Sequence, residues 1–300
     1  MPSRAMQDVI DGLREQRKAA AGRAPPTLAE RRATFTPAGQ PHPVPDDVLV
    51  TDVTAGGVAA HWLEAPGTET DRVLLFLHGG GFEFGSVRSD GELAARLGRA
   101  GRMRVLLAEY RLAPEHHFPA AIDDVIAAYR WLRADQRLRA SSLAVAGDSA
   151  GGGLAVALLV ALRDAGEELP AAAVLMSPTV DLTSSGASMT ERVDEDPIST
   201  PAMLRQFASD YLAGADPRTP LASPLFASLA GLPPLLVLVG TADLLLSDSE
   251  RLAAAADQAG VDVTLEIGEG LPHVYPLMLG TPEAAEATEE VGKFLRARVG

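Results

Sequence analysis

The chain has 300 residues, a formal net charge of −14, 47% hydrophobic and 22% charged residues, and no cysteine. That length accommodates one large α/β domain with a sizeable core. The acidic balance excludes a nucleic-acid partner, which needs clustered Lys and Arg, and disfavours docking on anionic membranes; the absence of cysteine excludes disulfides, thiolate catalysis and Cys-ligated zinc.

Met1 to Gly22 is polar and charged and lacks the apolar stretch of a signal peptide. No run approaches the roughly 18 apolar residues of a membrane-spanning helix, and the longest candidate is Leu154 to Leu162. These features lead us to expect a cytoplasmic protein without a membrane anchor, and they are compatible with a homodimer.

Met6, Val9, Ile10 and Leu13 fall at helical spacing and predict an amphipathic helix to about Ala20. The Pro-rich stretch from Pro25 to Pro45 reads as loop. Val48 to Val53 and Val58 to Leu63 read as a hairpin around Ala55-Gly56-Gly57. Strands and helices then alternate: strands at 73–77, 104–108, 143–146 and 171–176, helices at 91–99, 120–133 and 150–164. Such alternation predicts a mainly parallel sheet flanked by helices on both faces. It breaks at 183–214, a polar segment that turns helical around Met203, Phe207 and Tyr211. It resumes with a strand at 235–239, a helix at 247–259, a strand at 261–267 and a last helix at 283–298. We read one α/β domain over 1–300 with a helical cap formed by about 1–45 and 183–214.

Gly147-Asp148-Ser149-Ala150-Gly151 has the form G-x-S-x-G, between a short apolar strand and an Ala-rich helix. A sharp strand-to-helix turn there lifts the serine hydroxyl above the sheet edge and leaves no room for flanking side chains. The competing reading is a glycine-rich turn whose serine only caps the helix. His78-Gly79-Gly80-Gly81-Phe82 follows the strand at 73–77. Glycines let backbone N–H groups approach a reacting carbonyl, and such donors stabilise the oxyanion of acyl transfer. The amide of Ala150, directly after the candidate nucleophile, supplies a further donor. His78 itself reads as a structural hydrogen-bonder.

With a nucleophile in such an elbow, the acid and then the base follow in chain order. Asp243 lies just past the strand at 235–239, on the same rim as Ser149. Asp248 and Asp257 compete but fall within the next helix and read as its solvated face. His273 follows the strand at 261–267 and is the one histidine downstream of Ser149. Adjacent His116 and His117 point to opposite sides of an extended chain, poor geometry for a metal. No metal or cofactor is expected.

Together these residues resemble the hormone-sensitive lipase family of esterases, bacterial family IV, which has the α/β-hydrolase fold. His78 to Phe82 resembles its HGGG signature, Tyr110 to Glu115 with Phe118-Pro119-Ala120 its YRLAPE…FPA block, and Gly147 to Gly152 its GDSAGG elbow. Ser177-Pro178 with Asp181-Leu182, and Pro220 to Pro224 with Gly231 to Pro234, resemble it too. The resemblance runs from about Val73 to the C-terminus. It implies a Ser149–Asp243–His273 triad, oxyanion donors at Gly80, Gly81 and Ala150, and a cap shaping the acyl and alcohol pockets. Two departures stand out. Family members often follow the acid with Pro-Leu-Arg-Asp, where this chain has Leu244-Leu245-Leu246-Ser247. Many also have a small residue after the catalytic histidine, where Val274-Tyr275 stand here.

The expected function is hydrolysis of small-molecule carboxylic esters with short to medium acyl chains. A lactone hydrolase or an amide deacetylase would use the same machinery. A non-catalytic ligand receptor on the same fold would lack a triad member. Phe82, Phe207, Tyr211 and Tyr275 are the candidate pocket residues, with core packing as the plainer role for the residues of the cap helix.

Overall fold

The computed structural model describes residues 1–20, 27–35 and 42–300. Its centre is an eight-stranded sheet in the order β1-β2-β4-β3-β5-β6-β7-β8. The strands are β1 (Leu49–Ala55), β2 (Val58–Glu64), β3 (Glu69–Leu77), β4 (Met103–Ala108), β5 (Leu143–Asp148), β6 (Ala172–Met176), β7 (Leu235–Ala242) and β8 (Val263–Pro272). β2 pairs antiparallel with β1 and β4, and every pairing from β4 through β8 is parallel. The hairpin turn places Gly56 and Gly57 at φ +62° and +92°, the left-handed values a two-residue turn between twisted strands requires.

Helices α1 (Arg4–Ala20), α2 (Leu28–Thr34), α3 (Val87–Gly101), α4 (Ala120–Ala134), α5 (Ala150–Asp164), α6 (Ser188–Glu191), α7 (Pro201–Leu212), α8 (Leu246–Gln258) and α9 (Pro282–Arg298) complete the fold. Side chains alternate across the sheet with period two. Val73, Leu75 and Leu77 of β3 face a core shared with α4, α5 and α8, while Leu74 and Phe76 face a second core with α1, α3 and α9. β5 divides likewise, Leu143 and Val145 against Ala144 and Ala146. Burial on both faces explains why these strands read as continuous apolar runs rather than as alternating ones.

The stretch Pro25 to Pro45 departs from its reading as loop. Its residues 25–26 and 36–41 lie outside the described residues, but Leu28–Thr34 is helix α2. The Thr27 hydroxyl accepts the Glu30 N–H while the Glu30 carboxylate accepts the Thr27 N–H at 2.8 Å, a reciprocal cap that satisfies two otherwise unpaired donors. Long-range contacts complete the helix: Arg32 Nε donates to the Glu83 carbonyl and Nη2 to the Ala113 carbonyl, both at 2.8 Å, and the guanidinium grips Glu115 at 2.7 Å. No helix among the described residues is long and apolar enough to cross a membrane.

Candidate active site

Ser149 sits between the end of β5 and the start of α5 at φ +51°, ψ −118°, a sparsely populated conformation for a residue with a Cβ. The turn is held from beneath. Ser149 N donates to the Met176 carbonyl at 2.8 Å, and the Ser149 carbonyl accepts Gly153 N at 3.1 Å and Thr179 N at 2.9 Å. Gly151 is needed for close approach, since a Cβ there would lie 2.0 Å from the Leu77 carbonyl oxygen. The elbow therefore presses against the strand that leads into the glycine loop.

β7 and β8 bring the other two groups together. Ala242 faces Pro272 in register, so the residues that follow, Asp243 and His273, emerge side by side. His273 Nδ1 lies 3.0 and 3.1 Å from the two Asp243 carboxylate oxygens, and Nε2 lies 3.0 Å from Ser149 Oγ. An ionised carboxylate only accepts, so Nδ1 carries the proton and Nε2 offers its lone pair to the serine hydroxyl. Asp243 Oδ1 also accepts Leu245 N at 2.8 Å. Burial lowers the His273 pKa, but the charge and hydrogen bond of Asp243, with the charge of Asp196, outweigh it and leave the imidazole above its ordinary value.

Gly80 and Gly81 line the same cavity as Ser149 and His273. The loop turns sharply, with φ of +103°, +63° and +65° at Gly80, Gly81 and Phe82, and the Gly80 carbonyl accepts Glu83 N and Phe84 N. Among the described residues the amides of Gly80, Gly81 and Ala150 donate to no other group. Ala150 N–H belongs to the first turn of α5, where helical donors are unpaired. His78 is fully buried, contacts the Gly79 carbonyl through Nδ1 at 2.8 Å, and stacks on Tyr110 with ring centroids 4.2 Å apart. That is a structural placement.

The cavity measures about 500 Å³. Its walls come from α1 (Leu13, Arg17), from Arg31 and Phe35 in and after α2, from the loop before α7 (Ile198) and from α7 (Met203, Phe207). Phe82 and Phe207 line it. Tyr211 and Tyr275 do not. One turn beyond Phe207, Tyr211 has passed the end of the cavity and stacks flat on Phe82 from behind, centroids 3.9 Å apart. Tyr275 is turned into the core that α9 covers, because Val274 takes a left-handed φ of +47° and its N–H is held by Ser177 Oγ at 3.0 Å.

Asp248 also departs from its expected place. It is 2% exposed rather than solvated, and its Oδ2 accepts Val180 N and Asp181 N at 3.0 Å each. Burial pushes its carboxyl up to about 7. Asp257 is exposed, as a helix-face residue should be. His116 and His117 are exposed, and no group of three or more His, Asp or Glu among the described residues is arranged to hold a metal ion. Two contributors escaped the sequence reading. Ser177 carried only its motif as a signal, and Asp196 carried none: it is buried beside Asp243, and its Oδ2 accepts Leu244 N at 3.0 Å.

Residues 74–277 match a family of the α/β hydrolase fold. An acetyl-hydrolase of Streptomyces hygroscopicus is 46% identical over 252 residues, 83% of either chain. An esterase of Acinetobacter venetianus is 33% identical over 82% of either chain. Among solved structures, an esterase from the bacterial hormone-sensitive lipase family superposes with a TM-score of 0.92 at 41% identity over the whole of both chains. An esterase/lipase from an uncultured bacterium gives 0.91 at 40% identity over 98% of each.

Proposed function

The chain belongs to the hormone-sensitive lipase branch of the α/β-hydrolase family and is a carboxylic ester hydrolase; from that premise we propose that Ser149, His273 and Asp243 are its triad and that its substrates are small esters with short to medium acyl chains. The observation that carries this reading is the hydrogen-bonded chain from Asp243 through His273 to Ser149 Oγ, opening on a cavity whose loop leaves two amides without an acceptor among the described residues. Ser149 Oγ attacks the ester carbonyl while His273 Nε2 takes its proton. The tetrahedral oxyanion receives the amides of Gly80, Gly81 and Ala150, and loss of one such donor costs about 3 kcal/mol of transition-state stabilisation. His273 then protonates the leaving alcohol, and water repeats the sequence on the acyl-enzyme. We read a cap of about 1–45 and 183–214 over a single domain, and the described residues Leu13, Arg17, Arg31, Phe35, Met203 and Phe207 on the cavity wall support that reading. Helix α1 is packed by Met6, Ile10 and Leu13 against the domain, which supports counting it with the fold.

A fluorophosphonate probe followed by peptide mass spectrometry tests the reading, with adduct expected on Ser149 alone. Turnover of p-nitrophenyl esters should exceed that of lactones and N-acetyl compounds. A dominant lactone or amide rate would reassign the substrate class. Absence of any adduct would leave a ligand-binding role.

The acid limb of activity follows from the imidazole. Only neutral His273 accepts the serine proton, and its pKa lies above the ordinary 6.5. With the pKa raised, protonation begins at higher pH, so kcat/KM is expected to fall as pH drops through a value above 6.5. A profile flat from about pH 5 to 9 with acylation rate-limiting contradicts the assignment of the base.

Chain-length preference should depend on Phe207. A Cβ on Gly81 would lie 2.3 Å from the Phe207 ring, so the ring rests directly on the oxyanion loop. It meets Phe84 edge-on at 5.7 Å. Removing it opens the cavity without emptying the core, because Phe207 is only half-buried. Phe207→Ala is expected to shift the optimum of a p-nitrophenyl ester series toward longer chains. An unchanged profile in the folded variant assigns Phe207 to packing alone.

A further inference from the structure

Asp196 stands in the loop between α6 and α7 and is 1% exposed. Three amides converge on its carboxylate. Ile198 N and Ser199 N donate to Oδ1 at 2.8 Å each, and Leu244 N donates to Oδ2 at 3.0 Å. The first two belong to the wall of the cavity. The third belongs to the residue after Asp243, whose own carboxylate takes the next amide, Leu245 N. On its main-chain side the Asp196 carbonyl accepts Arg17 Nη1 from α1 at 2.7 Å. One residue thus bonds α1, the loop before α7 and the turn that carries the acid.

We propose that Asp196 is a positioning residue that fastens the Asp243 turn to the cap and whose negative charge supports the imidazolium formed at His273 in the transition state. The proposal rests on the triad assigned above. The titratable groups facing the Asp196 carboxylate are Asp243 after β7 and His273 after β8; Arg17 spends its donor on the main chain. Burial, and then the like charge of Asp243, push the Asp196 carboxyl up to about 6, against the pull of His273. Two carboxylates this close and this buried oppose one another while the imidazole is neutral. The opposition is relieved when His273 takes the serine proton, because the cluster then holds one cation between two anions. That relief favours the transition state over the ground state, which is the condition for raising kcat.

The hydrogen bonds show why a carboxylate stands here. An asparagine could accept Ile198 N and Ser199 N through its Oδ1, but its amide group would then face the Leu244 N–H, donor against donor. Only an acceptor at both oxygens satisfies all three amides.

The test is the pH profile of p-nitrophenyl butyrate hydrolysis by Asp196→Asn and Asp196→Glu, with His273→Ala alongside. For Asp196→Asn the expected result is a kcat lower by about 10²-fold, the scale of a small misplacement of catalytic groups, with KM within about twofold. Its acid limb should move to lower pH, since a negative charge near the imidazole has gone. Asp196→Glu should lose kcat through altered spacing yet keep its limb near the wild-type position. If Asp196→Asn does not fold, Asp196→Ser, which keeps an acceptor for the loop amides, reads the same limb. An unmoved limb in a folded neutral variant, or an equal movement in Asp196→Glu, overturns the electrostatic role. A kcat within twofold of wild type overturns the positioning role. If His273→Ala retains activity, it is the triad that fails; if His273→Ala is inactive while Asp196→Asn behaves as wild type, this proposal alone fails.

Discussion

Ser149→Ala is expected to lower kcat toward a short-chain p-nitrophenyl ester by about 10⁶-fold, the scale found when the nucleophile of a serine triad is removed. The geometry demands an effect of this size. Ser149 Oγ is the atom within hydrogen-bond reach of His273 Nε2, at 3.0 Å, and without it the imidazole has no proton to take. The fold should not suffer. The left-handed φ of +51° is as accessible to alanine as to serine, and the amide and carbonyl that anchor the turn belong to the main chain. His273→Ala should cost about as much, and the double variant no more than either single one, because the groups act as a unit. Retention of a tenth of wild-type turnover by Ser149→Ala, with contaminating esterase excluded by active-site titration, would remove Ser149 as nucleophile. Additive losses in the double variant would mean that the two residues act in separate steps.

The parts of the fold legible in the sequence are those set by local pattern. β3, β5, β6 and β7 are apolar runs buried on both faces, and α5 starts at Ala150 as the elbow motif requires. Asp243 was legible because it follows such a run; His273 follows β8, an edge strand that is mostly half-exposed or exposed, and stood out as the one histidine downstream of Ser149, and the pairing of β7 with β8 brings the two strand ends together. What escaped depends on contacts between distant segments. The period of α8 gives the direction of Asp248 but not what covers that face, which is the loop after β6. The spacing of Met203, Phe207 and Tyr211 places them on one stripe of α7 but does not say where the cavity ends, and Tyr211 lies past it against Phe82. Helix α2 is seven residues long, too short to hold by propensity alone, and it relies on Arg32 reaching Glu83, Ala113 and Glu115. Asp196 lies in irregular chain, where no period speaks.

The choice between the two buried acids yields the second large effect. Asp243→Asn is expected to lower kcat by about 10⁴-fold through the wrong tautomer of the base. The amide would keep its oxygen on Leu245 N, at the 2.8 Å position of Oδ1, and so turn its NH₂ toward His273 Nδ1. That nitrogen must then accept, the proton moves to Nε2, and Nε2 can no longer take the proton of Ser149. Asp248→Asn should behave in the opposite way. A single oxygen, Oδ2, accepts both Val180 N and Asp181 N, and the amide oxygen can take its place. Burial lifts the Asp248 carboxyl from 3.8 to about 7, so the folded state binds the extra proton more tightly than the unfolded chain does. Across that window stability falls as pH rises, and the asparagine variant, which has no proton to lose, escapes the fall. Its melting temperature relative to wild type is therefore expected to rise between about pH 4 and pH 8, with kcat within a few-fold of wild type. Melting curves at both ends of the range and kcat for both variants decide the matter. An inactive Asp248→Asn beside an active Asp243→Asn would transfer the acid's role to Asp248 and leave Ser149 and His273 in place.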